Sequence, residues 1–119
     1  MTAKRIVYLA CPYTDPNPEI RKLRYNAANR AAADLIEKGF IVYSPITMTH
    51  PLDILLAADG ATLGTDYWVA FDEAFMEACA EIFVLQIDGW DRSEGVKREV
   101  NFFVSVGRPI TYITPASDA

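Results

Sequence analysis

The stretch KRIVYLACPYTDPNPEIRKLRYNAANRAAADLIEKGFIVYSP, residues 4–45, decides the fold. Its opening KRIVYLAC is apolar and β-branched beyond the two basic residues, with no turn residue in it, and reads as a buried strand. Residues 18–39 are rich in alanine and end in Lys-Gly, which predicts a helix with its C-terminal stop. FIVYSP, residues 40–45, is a second strand closed by proline. Strand, helix and strand in that order form the unit that lays two strands parallel in one sheet.

The rest of the chain continues the pattern. Residues 65–80 read as a helix and EIFVLQID, 81–88, as a strand. GWDRSEG, 89–95, is a loop, VKREVNFFVSV, 96–106, a helix ended at Gly107, and PITYIT, 109–114, a last strand. Residues 46–65 carry mixed turn signals, with DGATLG the clearest loop, and no element is assigned there. Strands that are apolar throughout and alternate with helices imply a parallel sheet covered on both faces. The expected architecture is α/β: a three-layer, flavodoxin-like doubly wound parallel sheet of four or five strands, one domain over residues 1–119. The first and third strands should be neighbours. Ligands of such sheets bind outside the carboxyl ends of the strands, where the strand order reverses. CPYTDPNP (11–18) and GWDRSEG should border that crevice.

Hydrophobic residues make up 51% of the chain, enough for a core without a metal or disulfide staple. A net charge of −5 argues against binding nucleic-acid polymers or anionic membranes. No run approaches the length of a membrane span, and RIVYLAC is too short for a signal peptide, so a cytoplasmic location is expected. With one histidine and no Cys/His cluster, neither a metal nor another cofactor is expected. DGATLG lacks the Gly-Lys-Ser/Thr of a nucleoside-triphosphate loop.

CPYT resembles a dithiol redox site whose second cysteine is a threonine. A reactive thiolate needs a helix beginning beside it. Pro16 and Pro18 push the following helix start about seven residues away, beyond the reach of its dipole. Cys79 lies on another helix, so Cys11 reads as a small residue at a strand end.

Two carboxylates stand out instead. On a helical wheel of residues 93–107, Val96, Val100, Phe103, Val104 and Gly107 share an arc extended by Phe102 and Val106, with Lys97, Arg98, Asn101 and Ser105 opposite; Glu99, between Phe103 and Val106, is the only charge inside the apolar arc. On residues 67–79, Asp72 is likewise alone in the stripe of Trp68, Phe71, Phe75, Met76 and Cys79. An ionised carboxylate buried without a partner costs several kcal/mol or more. Capping or pairing explains one such placement; two in a small chain point to a site. Ser93 or Asp91 can cap the last helix, and Gly95, one turn before Glu99, leaves room for a ligand. Free N–H groups at that helix start suit an anion such as phosphate. Arg21, Lys22 and Arg24 either reach such a phosphate or form a solvated face.

Tyr8 in the first strand, then CPYT, Asp72 and DGWDRSEGVKREV, together with SPI and His50, resemble the nucleoside 2-deoxyribosyltransferase superfamily over nearly the whole chain. The likeness is greatest to a subgroup of small bacterial proteins with SPI…H and GW…S.GV..E motifs. The resemblance implies cleavage of the N-glycosidic bond of a nucleoside or nucleoside 5′-monophosphate, by hydrolysis or by deoxyribosyl transfer. It makes Glu99 the nucleophile, Asp72 the carboxylate assisting at base and sugar, and Tyr8 the support of Glu99. Serine at position 93, where transferases acting on free nucleosides usually carry aspartate, favours a nucleotide. Cys11 stands where many relatives have glycine, and Pro12 where they have a phosphate-binding serine. Tyr13 and Trp90 are candidates to stack on the base, with plain packing, the commoner role of a loop aromatic, as the alternative. Asp88 and His50 complete the candidate contacts, His50 being equally readable as the end of a turn. The resemblance also implies a homodimer or larger homo-oligomer. The competing class is a non-catalytic nucleotide sensor that uses the same crevice.

Overall fold

The computed structural model describes residues 4–61 and 63–115. Its four strands are β1 (Ile6–Ala10), β2 (Ile41–Tyr43), β3 (Glu81–Leu85) and β4 (Ile110–Ile113). They form one sheet in the order β2-β1-β3-β4, and every neighbouring pair is parallel. Four helices accompany them: α1 (Pro18–Glu37), α2 (Pro45–Ala58), α3 (Thr65–Ala78) and α4 (Glu94–Ser105). The fold is thus the three-layer, flavodoxin-like α/β arrangement, with β1 and β3 adjacent at the reversal of strand order.

Alternation along the central strands divides the core between the two faces. Val7, Leu9, Phe83 and Leu85 pack against Ala28, Ala32 and Leu35 of α1 and Ile46 of α2. Tyr8, Ala10, Ile82 and Val84 face the other way, onto Met76 of α3 and Val96 and Phe103 of α4. Phe103 is wholly buried, so truncation to alanine should cost about 3–5 kcal/mol. Small residues on the inner face of α1 let its backbone lie close to the sheet. The helix begins under Asn17, whose side chain accepts from the Glu19 N–H, with Pro18 at its first turn. It stops at Gly39, whose φ of 97° lets the Phe40 N–H turn back to the Leu35 carbonyl at 3.1 Å.

Helix α2 occupies most of the segment left unassigned from the sequence. Pro45 starts it, and Pro51 lies inside it, where a proline ordinarily argues for a break. Its large apolar residues fall on several sides: Met48, Leu52, Ile54 and Leu55 are all exposed, while Ile46 is buried. No single stripe therefore marks it as amphipathic. The end of α3 is equally unmarked by glycine. Arg108, on the segment leading to β4, donates from Nη1 to the carbonyls of Met76, Glu77 and Cys79 at 3.1, 3.0 and 2.8 Å. That guanidinium satisfies the orphan carbonyls a helix end leaves. Val104 belongs to the surface, 60% exposed, and not to the buried arc of α4. No helix among the described residues is long and apolar enough to cross a membrane.

Candidate functional site

Parallel strands ending side by side deliver their following loops to one edge, and at the β1/β3 reversal those loops diverge to opposite faces. The result is a cleft of about 940 Å³. Its walls come from the loop after β1, the starts of α1, α2 and α4, one face of α3 and the segment 88–95. Both bordering segments expected from the sequence are present.

Glu99 lies at the buried side of this cleft. Ser93 caps α4, its Oγ accepting from the Val96 N–H at 3.1 Å, which sets Glu99 in the second turn facing the sheet. There the Tyr8 hydroxyl donates to Glu99 Oε2. Tyr8 is itself fully buried, its ring 5.9 Å from that of Tyr43 and 6.0 Å from that of Phe103. Packing on both sides holds the hydroxyl at one place. Burial pushes the Glu99 carboxyl up from 4.5 to about 8; Tyr8 and Arg98 work against that rise, and Asp72 adds to it. Burial also raises the Tyr8 phenol, with Glu99 next in effect, so it remains a hydrogen-bond donor.

Asp72, on α3, faces the same cleft and is half-buried. Its carboxyl is lifted to about 6 by burial, opposed by Arg98. Between about pH 6 and 8 the two carboxyls together therefore hold one proton and one negative charge.

The remaining candidates separate. Ser93, Gly95, Tyr13 and Asp88 line the cleft with Glu99 and Asp72. Gly95 leaves its side of the α4 start open: a Cβ there would meet only Ser93 Oγ, at 3.7 Å. Asp88 is exposed and paired with Arg92 at 3.3 Å. Trp90 does not face the cleft. Its ring packs on Tyr112 at 5.5 Å, beside α4, which is the packing alternative to stacking on a base. His50 is not on the cleft wall either. It is buried behind Tyr13, whose hydroxyl lies 2.6 Å from its Nδ1. The role of direct substrate contact is corrected accordingly. Cys11 is a buried thiol raised to about 12, its Sγ donating to the Pro12 and Arg24 carbonyls at 3.4 and 3.7 Å. A thiol so placed is not a thiolate nucleophile at neutral pH.

Trp68 and Arg98 line the cleft without being singled out by the sequence. Trp68, part of the apolar stripe of its helix, lines the cleft one helical turn before Asp72. The i, i+4 spacing to Asp72 is the signal that would have found it. Arg98 fell on the polar arc of the wheel, and nothing in the spacing marks it as a neighbour of both carboxyls. Of the basic cluster opening α1, Arg21 and Arg24 line the cleft and Lys22 does not. Arg24 donates to the Thr14 carbonyl at 3.1 Å and packs on Gly89, which joins the two bordering segments. Among the described residues no three His, Cys, Asp or Glu side chains gather as a metal site requires.

Residues 5–114 match the family described as Domain of unknown function (DUF1937), and the chain belongs to that family. No curated protein matches the chain.

Proposed function

We propose that this member of the DUF1937 family is an N-glycosidic enzyme acting on a nucleoside or nucleoside 5′-monophosphate. The observation that carries the reading is the pair of raised carboxyls, Glu99 and Asp72, facing one cleft with a tyrosine hydroxyl on one of them. One shared proton and one negative charge are what the reaction needs. Positive charge developing at the anomeric carbon draws the ionised state onto Glu99, and the proton resides on Asp72. A Glu99 oxygen then bonds to the anomeric carbon as the carbon–nitrogen bond breaks, its electron pair leaving with the base. Asp72 protonates that base. Water, or a second base, next attacks the anomeric carbon, releases Glu99 and returns a proton to Asp72.

Trp68 stacks on the base, and Ser93 with the α4 N–H groups takes the 5′-phosphate, aided by Arg92 and Arg98. The homo-oligomer implied by the resemblance is part of the proposal. Exposed Met48, Leu52 and Leu55 on α2 and Tyr67 on α3 are apolar surface that self-association would cover. The test is incubation with a panel of nucleosides and 5′-monophosphates and quantification of free base, with Glu99→Gln as control. A single observation favours the alternative, a nucleotide sensor: at pH 7 the free protein holds Glu99 largely protonated. Tight binding without base release, unaffected by Glu99→Gln, would select the sensor.

A further inference from the structure

The cleft wall carries more carboxylates than the chemistry uses. Asp15 accepts from the Asn17 N–H at 2.9 Å, Asp88 pairs with Arg92 at 3.3 Å and Glu94 with Lys97 at 3.6 Å. Glu99 accepts from Tyr8. Asp72 and Asp53 have neither a hydrogen bond nor an ion pair among the described residues. Asp72 protonates the base, whereas the mechanism leaves Asp53 unused. No fully buried side-chain oxygen among the described residues lacks a partner, so the half-buried Asp53 carboxylate is open to the cleft.

Thr49, one turn earlier on α2, lines the same wall. Its hydroxyl donates to the Pro45 carbonyl at 2.8 Å, and a carbonyl has no hydrogen to return, so the direction of that bond is fixed. The Thr49 oxygen therefore keeps only lone pairs for a ligand. An ionised carboxylate likewise only accepts. At i and i+4 the two side chains make this face of α2 a wall of acceptors. Arg21 of α1 lines the same side of the cleft. Its charge and that of Asp53 reach the same two residues, Tyr13 and His50, yet the two form no ion pair.

Position and chemistry together identify what meets that wall. Glu99 and Asp72, which act on the sugar, belong to α4 and α3, and the phosphate is assigned to the start of α4. Helix α2 packs through Ile46 into the α1 side of the core, so the base is the part of the ligand left to meet it. Among the common bases only guanine presents a ring N–H and an amino group side by side, a continuous row of donors on one edge. Adenine and cytosine set a ring acceptor beside the amino group, and thymine and uracil flank their N–H with carbonyls. Each of those would turn a lone pair toward the carboxylate. We propose that Thr49 and Asp53 are specificity-determining residues that select a 2-amino-6-oxopurine base. Asp53 takes N1–H and one amino hydrogen, Thr49 Oγ1 takes the other, and Arg21 supplies a donor to O6. This rests on the nucleotide reading above.

Calorimetric titration of dGMP, dIMP and dAMP tests it. The base of dIMP keeps N1–H and lacks the amino group. Wild type should bind dGMP about tenfold or more tighter than dIMP, because the missing donor strands a carboxylate oxygen, and dAMP no better than dIMP. Asp53→Asn keeps the size of the side chain and turns one acceptor into a donor. It should lose the dGMP preference and favour dAMP, since an amide pairs with the adenine amino group and its neighbouring ring nitrogen. A packing defect does not reverse a preference. Thr49→Val should weaken dGMP about fivefold and leave dIMP within about twofold of wild type. Equal affinities for dGMP and dIMP in wild type overturn the proposal and leave the nucleotide reading in place. A dGMP preference that persists in Asp53→Asn overturns it as well. Should none of the three bind wild type, the nucleotide reading falls and the proposal with it.

Discussion

Replacing Glu99 by glutamine should separate the two things this side chain does, because its charge is costly to the fold and necessary to the chemistry. In the folded protein the carboxyl is raised from the ordinary 4.5 to about 8, chiefly by burial. Across that window the native state holds a proton that the unfolded chain has released, so stability falls as pH rises. Each pKa unit corresponds to about 1.4 kcal/mol, and the full window to roughly 4–5 kcal/mol. The Asp72 carboxyl shares part of that figure, since its charge is one cause of the rise. Glutamine is neutral at every pH, fits the same space and offers an oxygen to the Tyr8 hydroxyl. Urea unfolding followed by tryptophan fluorescence should therefore show wild type and Glu99→Gln about equal near pH 4.5. The variant should become more stable by ~2 kcal/mol or more at pH 8, and base release should fall by several orders of magnitude. A stability difference that does not change with pH would refute the burial of an ionisable Glu99. Base release near the wild-type rate would refute its role as nucleophile.

Three further outcomes follow from the same geometry. The rate of base release should trace a bell with limbs near pH 6 and pH 8, set by the Asp72–Glu99 pair; Asp72→Asn should lower the rate at least a hundredfold with little loss of melting temperature. Nucleoside 5′-monophosphates should bind at least tenfold more tightly than their nucleosides, and Ser93→Asp should reverse the order by placing a carboxylate against the phosphate, as calorimetry of matched pairs will show. Gly89→Ala should cost about 1–3 kcal/mol in chemical denaturation, since Gly89 has φ of 92° and an added Cβ would stand 2.6 Å from Arg24 Nη2.

What the sequence disclosed followed the logic of burial. Strand β3 announces itself because both faces of it are covered, and Glu99 because a wheel reveals any charge set among Val96, Val100 and Phe103. Asp72 was legible for the same reason. Helix α2 was not, since apolar residues on several sides and an internal Pro51 remove both signals by which a helix is recognised. Aromatic residues were the other weak point. Trp68 and Trp90 are both half-buried beside charged residues, and no local pattern tells which lies on the cleft and which packs on Tyr112. That distinction depends on where α3 and the 88–95 segment cross the sheet edge.

The partners of the carboxyls were hidden for a deeper reason. Tyr8 and Glu99 lie 91 positions apart and meet only because β1 and β3 pair in register, Tyr8 opposite Ile82, with α4 folded across the same face. Inserting one residue into β1 would turn the Tyr8 side chain to the α1 face and leave Glu99 without its donor. A buried carboxyl bereft of that bond would be raised further and held neutral, since the Tyr8 hydrogen bond is the largest influence opposing its rise. Strand register thus sets the protonation of the cleft as well as its shape. The stability sacrificed to bury Glu99 is recovered in function only while that register holds.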